Sequence, residues 1–291
     1  MKKLLITGVA FAALTVAPAL AADMPRKAPV YMPPPPPVLS WNGWYVGLNA
    51  GAGWLRNDGT GNTLFSNDCV SAVPAGCPFA VGALNSGIPG NFDTGNNKAG
   101  FIGGGQIGYN WQWSPQFVWG IEADFQGADI KGDSNFASGD IPIGGIFPNV
   151  VTTTGEASQK LNFLGTLRGR LGWLVTPAAL LYGTGGLAYG HTETDVSFAA
   201  HMTGPPTLDG STFASSDEWR VGWTVGGGVE WMFAPNWSIK GEYLYYDLGH
   251  VTLDQTLTAA NVGGGKFISA GISSEATYRG SIARAGINYH F

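Results

Sequence analysis

From Trp41 to the last residue the chain carries eight segments in which apolar positions alternate with small or polar ones at a period of two. Trp44, Val46, Leu48, Ala50, Ala52 and Trp54 form the first apolar set, and Phe101, Ile107, Tyr109, Trp111 and Trp113 the second. The third runs through Phe117, Trp119, Ile121 and Phe125, and the fourth through Leu161, Phe163, Leu167, Leu171 and Trp173. The fifth, Leu180 to Gly190, is open in phase: either Tyr182, Thr184 and Ala188 or Leu181, Leu187 and Tyr189 form its apolar face. Trp219 to Phe233, Trp237 to Tyr245 and Ala283 to Phe291 complete the series. Successive side chains of a strand point to opposite faces, so each segment predicts a strand with one apolar and one polar face. Leu171 to Gly190 holds twenty residues without a charge, long enough for a membrane helix. Pro177 and five glycines disfavour a helix there, and two strands joined near Val175 to Ala178 fit better.

The connections alternate in length. Ser114 to Gln116, Val175 to Ala179 and Ala234 to Asn236 are tight turns, whereas Arg56 to Asn97, Gly132 to Ser158, Thr192 to Asp217 and Gly249 to Ser274 read as long, glycine-rich and polar links. All short turns then fall at one end and all long links at the other, as in a transmembrane barrel with short periplasmic turns and long external loops. Aromatic residues sort to two levels. Trp44, Trp113, Phe117, Trp173, Phe233, Trp237 and Phe291 lie beside the short turns, and Trp54, Phe101, Phe125, Tyr189, Trp219 and Tyr245 lie further along the strands. About ten tilted residues separate the levels, which spans the roughly 25 Å apolar band between two interfacial girdles. The expected fold is all-β: an eight-stranded antiparallel transmembrane β-barrel over residues 41–291.

Composition agrees with this picture. Charged residues are only 12% of the chain, glycine contributes 45 of 291 residues, and there are 11 Trp, 10 Tyr and 15 Phe. That apolar and aromatic content excludes a disordered chain. Removing Lys2 and Lys3 from the 15 basic residues leaves 13 against 20 acidic ones, a balance that repels phosphate backbones, so no nucleic-acid partner is expected. Lys2 and Lys3 open a short apolar run to Val16, and Ala19-Leu20-Ala21 is a small-x-small cleavage site, so residues 1–21 read as a cleaved signal peptide. Residues 22–40 contain Pro25, Pro29 and the run Pro33 to Pro37, and read as an extended proline-rich periplasmic linker. Cys69 and Cys77 are the only cysteines; in an exported chain they are expected to pair, closing a short loop worth about 2.5 kcal/mol.

Four stretches carry a resemblance. Trp41-Asn42-Gly43-Trp44-Tyr45-Val46-Gly47, Arg220 to Glu230, Glu242-Tyr243-Leu244-Tyr245-Tyr246-Asp247-Leu248-Gly249 and Asn288-Tyr289-His290-Phe291 resemble the porin-like immunogenic outer-membrane proteins of alphaproteobacteria, a family similar to the OmpA-type eight-stranded barrels. The resemblance covers the strands more than the loops. It implies an integral, surface-exposed protein of the Gram-negative outer membrane, with roles in envelope integrity and host contact. It also implies that Phe291 acts as the signal read by the barrel-assembly machinery. The first two loops and the cysteine pair depart from the pattern.

On these phases the interior receives Glu122, Asp124, Glu230 and Glu242 against Arg168, Arg170, Lys240 and Arg284, four acids against four bases. The interior of an eight-stranded barrel is just wide enough for side chains to fill it. Paired, these charges would plug the lumen; re-paired, they could gate a narrow path for small polar solutes. Which acid meets which base is left open by the sequence. Gly103-Gly104-Gly105-Gln106-Ile107-Gly108 matches G-x-G-x-x-G but lies inside a strand, without the following helix a dinucleotide site needs. His191, His201 and His250 fall near the loop end, where a barrel lipid hydrolase would place its base, yet no short-range Ser/His/Asp pattern accompanies them. No catalytic, cofactor or metal site is assigned. The expected partners are outer-membrane lipid, the assembly machinery and a host or environmental ligand at the loops, with a monomer as the default because a closed barrel needs no partner.

Overall fold

A computed structural model describes residues 39–56, 60–70, 91–92, 99–138, 140–143, 149–203, 207–260 and 267–291. The expected signal peptide, all of the proline-rich segment except Leu39 and Ser40, and Cys77 with its expected pairing to Cys69 lie outside the described residues. The strands are β1 (Gly43–Leu55), β2 (Thr60–Val70), β3 (Asn91–Phe92), β4 (Gly100–Gln112), β5 (Phe117–Ala137), β6 (Ile141–Ile143), β7 (Asn149–Thr176), β8 (Ala179–Thr203), β9 (Leu208–Ala234), β10 (Trp237–Ala260) and β11 (Phe267–His290).

Eight of them form a closed antiparallel ring, β1-β4-β5-β7-β8-β9-β10-β11, in which β11 returns to pair with β1 from Tyr45↔His290 to Leu55↔Gly280. Below the long hairpins, closure leaves no ring strand with an unpaired edge. Beyond the end of β1, β2 takes its place against β11, pairing from Glu275↔Gly61 to Phe267↔Val70. The remaining short strands are accessory, β3 on β2 and β6 on β7. The tight turns expected from the sequence join β4 to β5, β7 to β8 and β9 to β10. In the first, the Ser114 hydroxyl accepts hydrogen bonds from the backbone N–H of Gln116 and Phe117.

Between the two aromatic levels the ring is inside-out. Leu171 and Val221 on the outer face are each 73% exposed, while Glu230 and Arg168 on the inner face are 0% and 1% exposed. Only an apolar surround makes that arrangement favourable. The fifth segment resolves with Leu181 and Leu187 outward and Leu180, Tyr182, Thr184 and Ala188 inward. Rings meet around the upper level: Phe163 lies 4.1 Å from Phe125, 6.0 Å from Tyr189 and 5.5 Å from Trp219.

The long links differ from expectation. Much of Gly132 to Ser158, Thr192 to Asp217 and Gly249 to Ser274 is strand, and β7 reaches 28 residues where about ten cross a membrane. In this upper region the polarity reverses again, with Val196, Phe198, Leu253, Leu257 and Ile272 buried inside and polar residues outside. A phase slip hides this continuation. At Asn162 the β7–β8 register shifts between Leu161 and Phe163, so Leu161, expected on the outer face, is buried within. The β10–β11 register shifts between Asp247 and His250 around Gly249, whose φ of +80° suits glycine and whose N–H bonds Asp247 Oδ1 at 2.9 Å. Below each slip the even-numbered positions of β7 and β10 face in; above it the odd ones do.

Candidate functional site: the interior charge cluster

All eight ionisable residues expected in the interior are buried and meet in one cluster. Two ion pairs join residues directly opposite in the register, Glu122↔Arg168 on β5 and β7 and Glu242↔Arg284 on β10 and β11, while Glu230 and Lys240, also opposite, bind Arg170 and Glu122 instead. Further contacts join diagonal neighbours or cross the barrel. Arg168 reaches three carboxylates, Glu122 at 2.5 Å, Asp124 at 2.9 Å and Glu242 at 2.8 Å. Arg284 holds Glu242 at 2.6 Å and Asp124 at 2.8 Å. Lys240 spans from β10 to both oxygens of Glu122 on β5, each at 2.9 Å. Arg170 binds Glu230 at 2.6 Å.

Residues that the sequence did not single out extend the cluster to the other strands. The Tyr45 hydroxyl of β1 donates to Glu122 Oε2 at 2.7 Å and accepts from Arg170 at 2.9 Å. Tyr182 of β8 donates to Glu242 at 3.3 Å, and the Arg170 guanidinium lies 4.2 Å from the centre of its ring. Ser238 and Asn288 each donate to Glu230 Oε1 at 2.6 Å. Gln106 of β4 donates to Asn288 and accepts from Asn49, which in turn accepts from Gln126. Every strand of the ring therefore contributes. The signal was available, since all but Tyr182 share the polar phase of their strands; Tyr182 sits in the segment whose phase was open.

Glycine makes room for the two tyrosines. Tyr45 is paired with Gly108, where a Cβ would fall 2.3 Å from the Tyr45 ring, and Tyr182 is paired with Gly228, where it would fall 2.8 Å from the hydroxyl. The G-x-G-x-x-G run is thus part of a β-strand wall, and its last glycine accommodates a ring.

Apolar layers lie on both sides of the charges. Toward the short turns, Trp41, Val118, Leu174, Leu180, Tyr182 and Met232 pack together with Leu39. Trp41 donates its indole N–H to the Pro177 carbonyl at 3.1 Å and meets the His290 ring edge-on at 5.7 Å. Toward the long hairpins, Ile102, Leu164, Ala188, Leu244, Tyr246 and Ile282 belong to the upper apolar cluster. His290 contacts Ser238 and Glu230 through the same nitrogen, Nε2, which differs from the two-nitrogen relay of a serine nucleophile. Phe291, at the short-turn end, is 71% exposed and bonds its N–H to the Trp44 carbonyl at 3.0 Å.

A family profile described as "Outer membrane protein beta-barrel domain" matches residues 9–291, nearly the whole chain. The chain belongs to this family. Within it, the chain is 33% identical over 252 residues to the 31 kDa outer-membrane immunogenic protein of Brucella melitensis, covering 86% of this chain and 88% of that one. It is 31% identical over 173 residues to the 22 kDa outer membrane protein of Rhizobium leguminosarum bv. viciae, covering 58% and 63%. Among solved barrels, OprG of Pseudomonas aeruginosa is 10% identical with a TM-score of 0.35, covering 87% of this chain and 99% of that one. Neisserial surface protein A is 12% identical with a TM-score of 0.29, covering 86% and 98%. The family places the barrel in the outer membrane of a Gram-negative cell, and in such barrels short turns are periplasmic and longer connections external.

Proposed function

We propose that this barrel is a non-enzymatic envelope protein with a closed lumen, working through its outward-facing hairpins. The observation that carries the reading is Arg168, wholly buried and bound by three carboxylates from two strands. Four acids against four bases leave the layer neutral, and the apolar layers above and below it oppose entry of water and ions. Removing one partner would strand a buried charge, so the paired state is strongly preferred. The hairpins carry the contact surface, in keeping with the naming of the Brucella relative as immunogenic. Phe291 serves as the assembly signal, and the barrel works as a monomer.

A gated pore for small polar solutes is the second reading. It is favoured by Asp124 Oδ1, Arg168 Nε, Arg170 Nε and Arg284 Nη1, buried atoms with no protein partner, which offer the valences that re-pairing would need. Liposome swelling separates the two. Vesicles holding refolded barrel should exclude small sugars and amino acids as empty vesicles do; swelling that changes in Arg168→Ala would favour the pore.

A further inference from the structure

His191, Glu193 and Asp217 stand together on the outer wall, just beyond the upper aromatic level. His191 and Glu193 are two positions apart on β8 and so share a face, and Asp217 lies directly opposite Glu193 on β9. The three ligand atoms they offer lie within 4.8 Å of one another. His191 Nε2 is already 2.8 Å from Asp217 Oδ1, and the His191 ring packs edge-on against Trp219 at 5.2 Å, which holds the imidazole in place. All three are reachable from outside, with His191 26% and Asp217 67% exposed.

The juxtaposition is unfavourable as it stands. Like charges directly opposite on neighbouring strands repel, and Glu193 faces Asp217 in register. Lys160, at 3.5 Å from Glu193 Oε2, offsets part of this, and Asn162 donates to Glu193 Oε1 at 2.6 Å. His191 adds a positive charge only when protonated. A cation between the two carboxylates would relieve the repulsion while leaving the imidazole neutral.

We propose that His191, Glu193 and Asp217 form a binding site for a divalent transition-metal ion of the zinc class. One imidazole nitrogen and two carboxylates suit zinc, whereas magnesium and calcium take all-oxygen sets. Three protein ligands leave a fourth position for water or an outside ligand. Tetrahedral zinc with bonds of about 2.0–2.2 Å sets its ligand atoms about 3.4 Å apart, so rotamer adjustment must part His191 from Asp217, now 2.8 Å apart, while the strands stay fixed. Lys160 competes for Glu193 and weakens the site. The site lies on the outer wall and is independent of whether the lumen is open.

Titration calorimetry of the refolded barrel with zinc chloride, and with magnesium chloride as the contrast, tests this. A heat-modifiable gel shift first establishes that each variant is folded. The expected result is one zinc ion per barrel at micromolar metal, with affinity lowered at least tenfold in H191A and D217N, raised in K160M and unchanged in H201A. Magnesium should not displace the zinc. Absence of zinc binding in this range, or binding that survives H191A and D217N in folded protein, overturns the proposal.

Discussion

Arg168 and Glu242 meet across the barrel at 2.8 Å, although they sit 74 positions apart on strands three places apart in the ring. Cross-strand neighbours are set by register, but this contact exists only because the ring closes on a filled interior. Closure and charge pairing therefore depend on each other. Arg168→Met should lower stability by about 3–5 kcal/mol, because Glu122, Asp124 and Glu242 each lose a partner. Adding Glu242→Gln should recover part of the loss. Urea unfolding in detergent or lipid, followed by tryptophan fluorescence, measures both.

Trp41 packs into the short-turn end of the barrel from just before β1, 1% exposed and hydrogen-bonded to Pro177. Trp41→Ala should cost about 3–5 kcal/mol by removing a large buried side chain. It should also expose a cysteine placed at Leu180 to a periplasmic thiol reagent. It should leave the membrane impermeable, because the charge layer lies above. A leak from Trp41→Ala alone would show that the stopper, rather than the charges, closes the barrel.

Gly108 and Gly241 make a matched pair. A Cβ at Gly108 meets the Tyr45 ring at 2.3 Å, while one at Gly241 has nothing within 4 Å. Gly108→Ala should destabilise the barrel by about 1–3 kcal/mol through overpacking and displace Tyr45 from Glu122, whereas Gly241→Ala should be close to neutral. Unfolding curves for the two variants, run beside Tyr45→Phe, check the comparison.

The hairpins outside the membrane are paired strands around an apolar interior, with Val196 and Phe198 at 0% and 2% exposure. Their backbone amides should exchange slowly. Hydrogen exchange read by mass spectrometry should find peptides covering Val196 and Phe198 protected to nearly the degree of those covering Arg168. Fast exchange there would mean that the upper hairpins do not hold together.

The lower barrel was legible because its strands follow one rule: an apolar outer face, a polar inner face and an aromatic at each interface. That rule named the eight interior charges and the turns at Pro177 and Pro235. It did not name their partners, because contacts such as Lys240 with Glu122 cross the interior and have no local signature. The upper strands were read as loops because the rule inverts there while the phase slips at Asn162 and Gly249, which made a continuing alternation look irregular. The fifth segment lacked a clear phase because its small residues, Gly183 and Gly185 outward and Gly186 and Ala188 inward, carry little contrast. Glu193 and Asp217 are 24 positions apart in the chain, and only the β8–β9 pairing brings them face to face.

Single-channel recording of the refolded barrel in a planar bilayer tests the central claim most directly. Folded protein, established beforehand by its heat-modifiable gel shift, should insert and remain electrically silent across a range of voltages and salt concentrations. Reproducible conductance steps whose size or gating changes in Arg168→Ala or Glu242→Ala would contradict the closed lumen and make the same charges the filter of a pore.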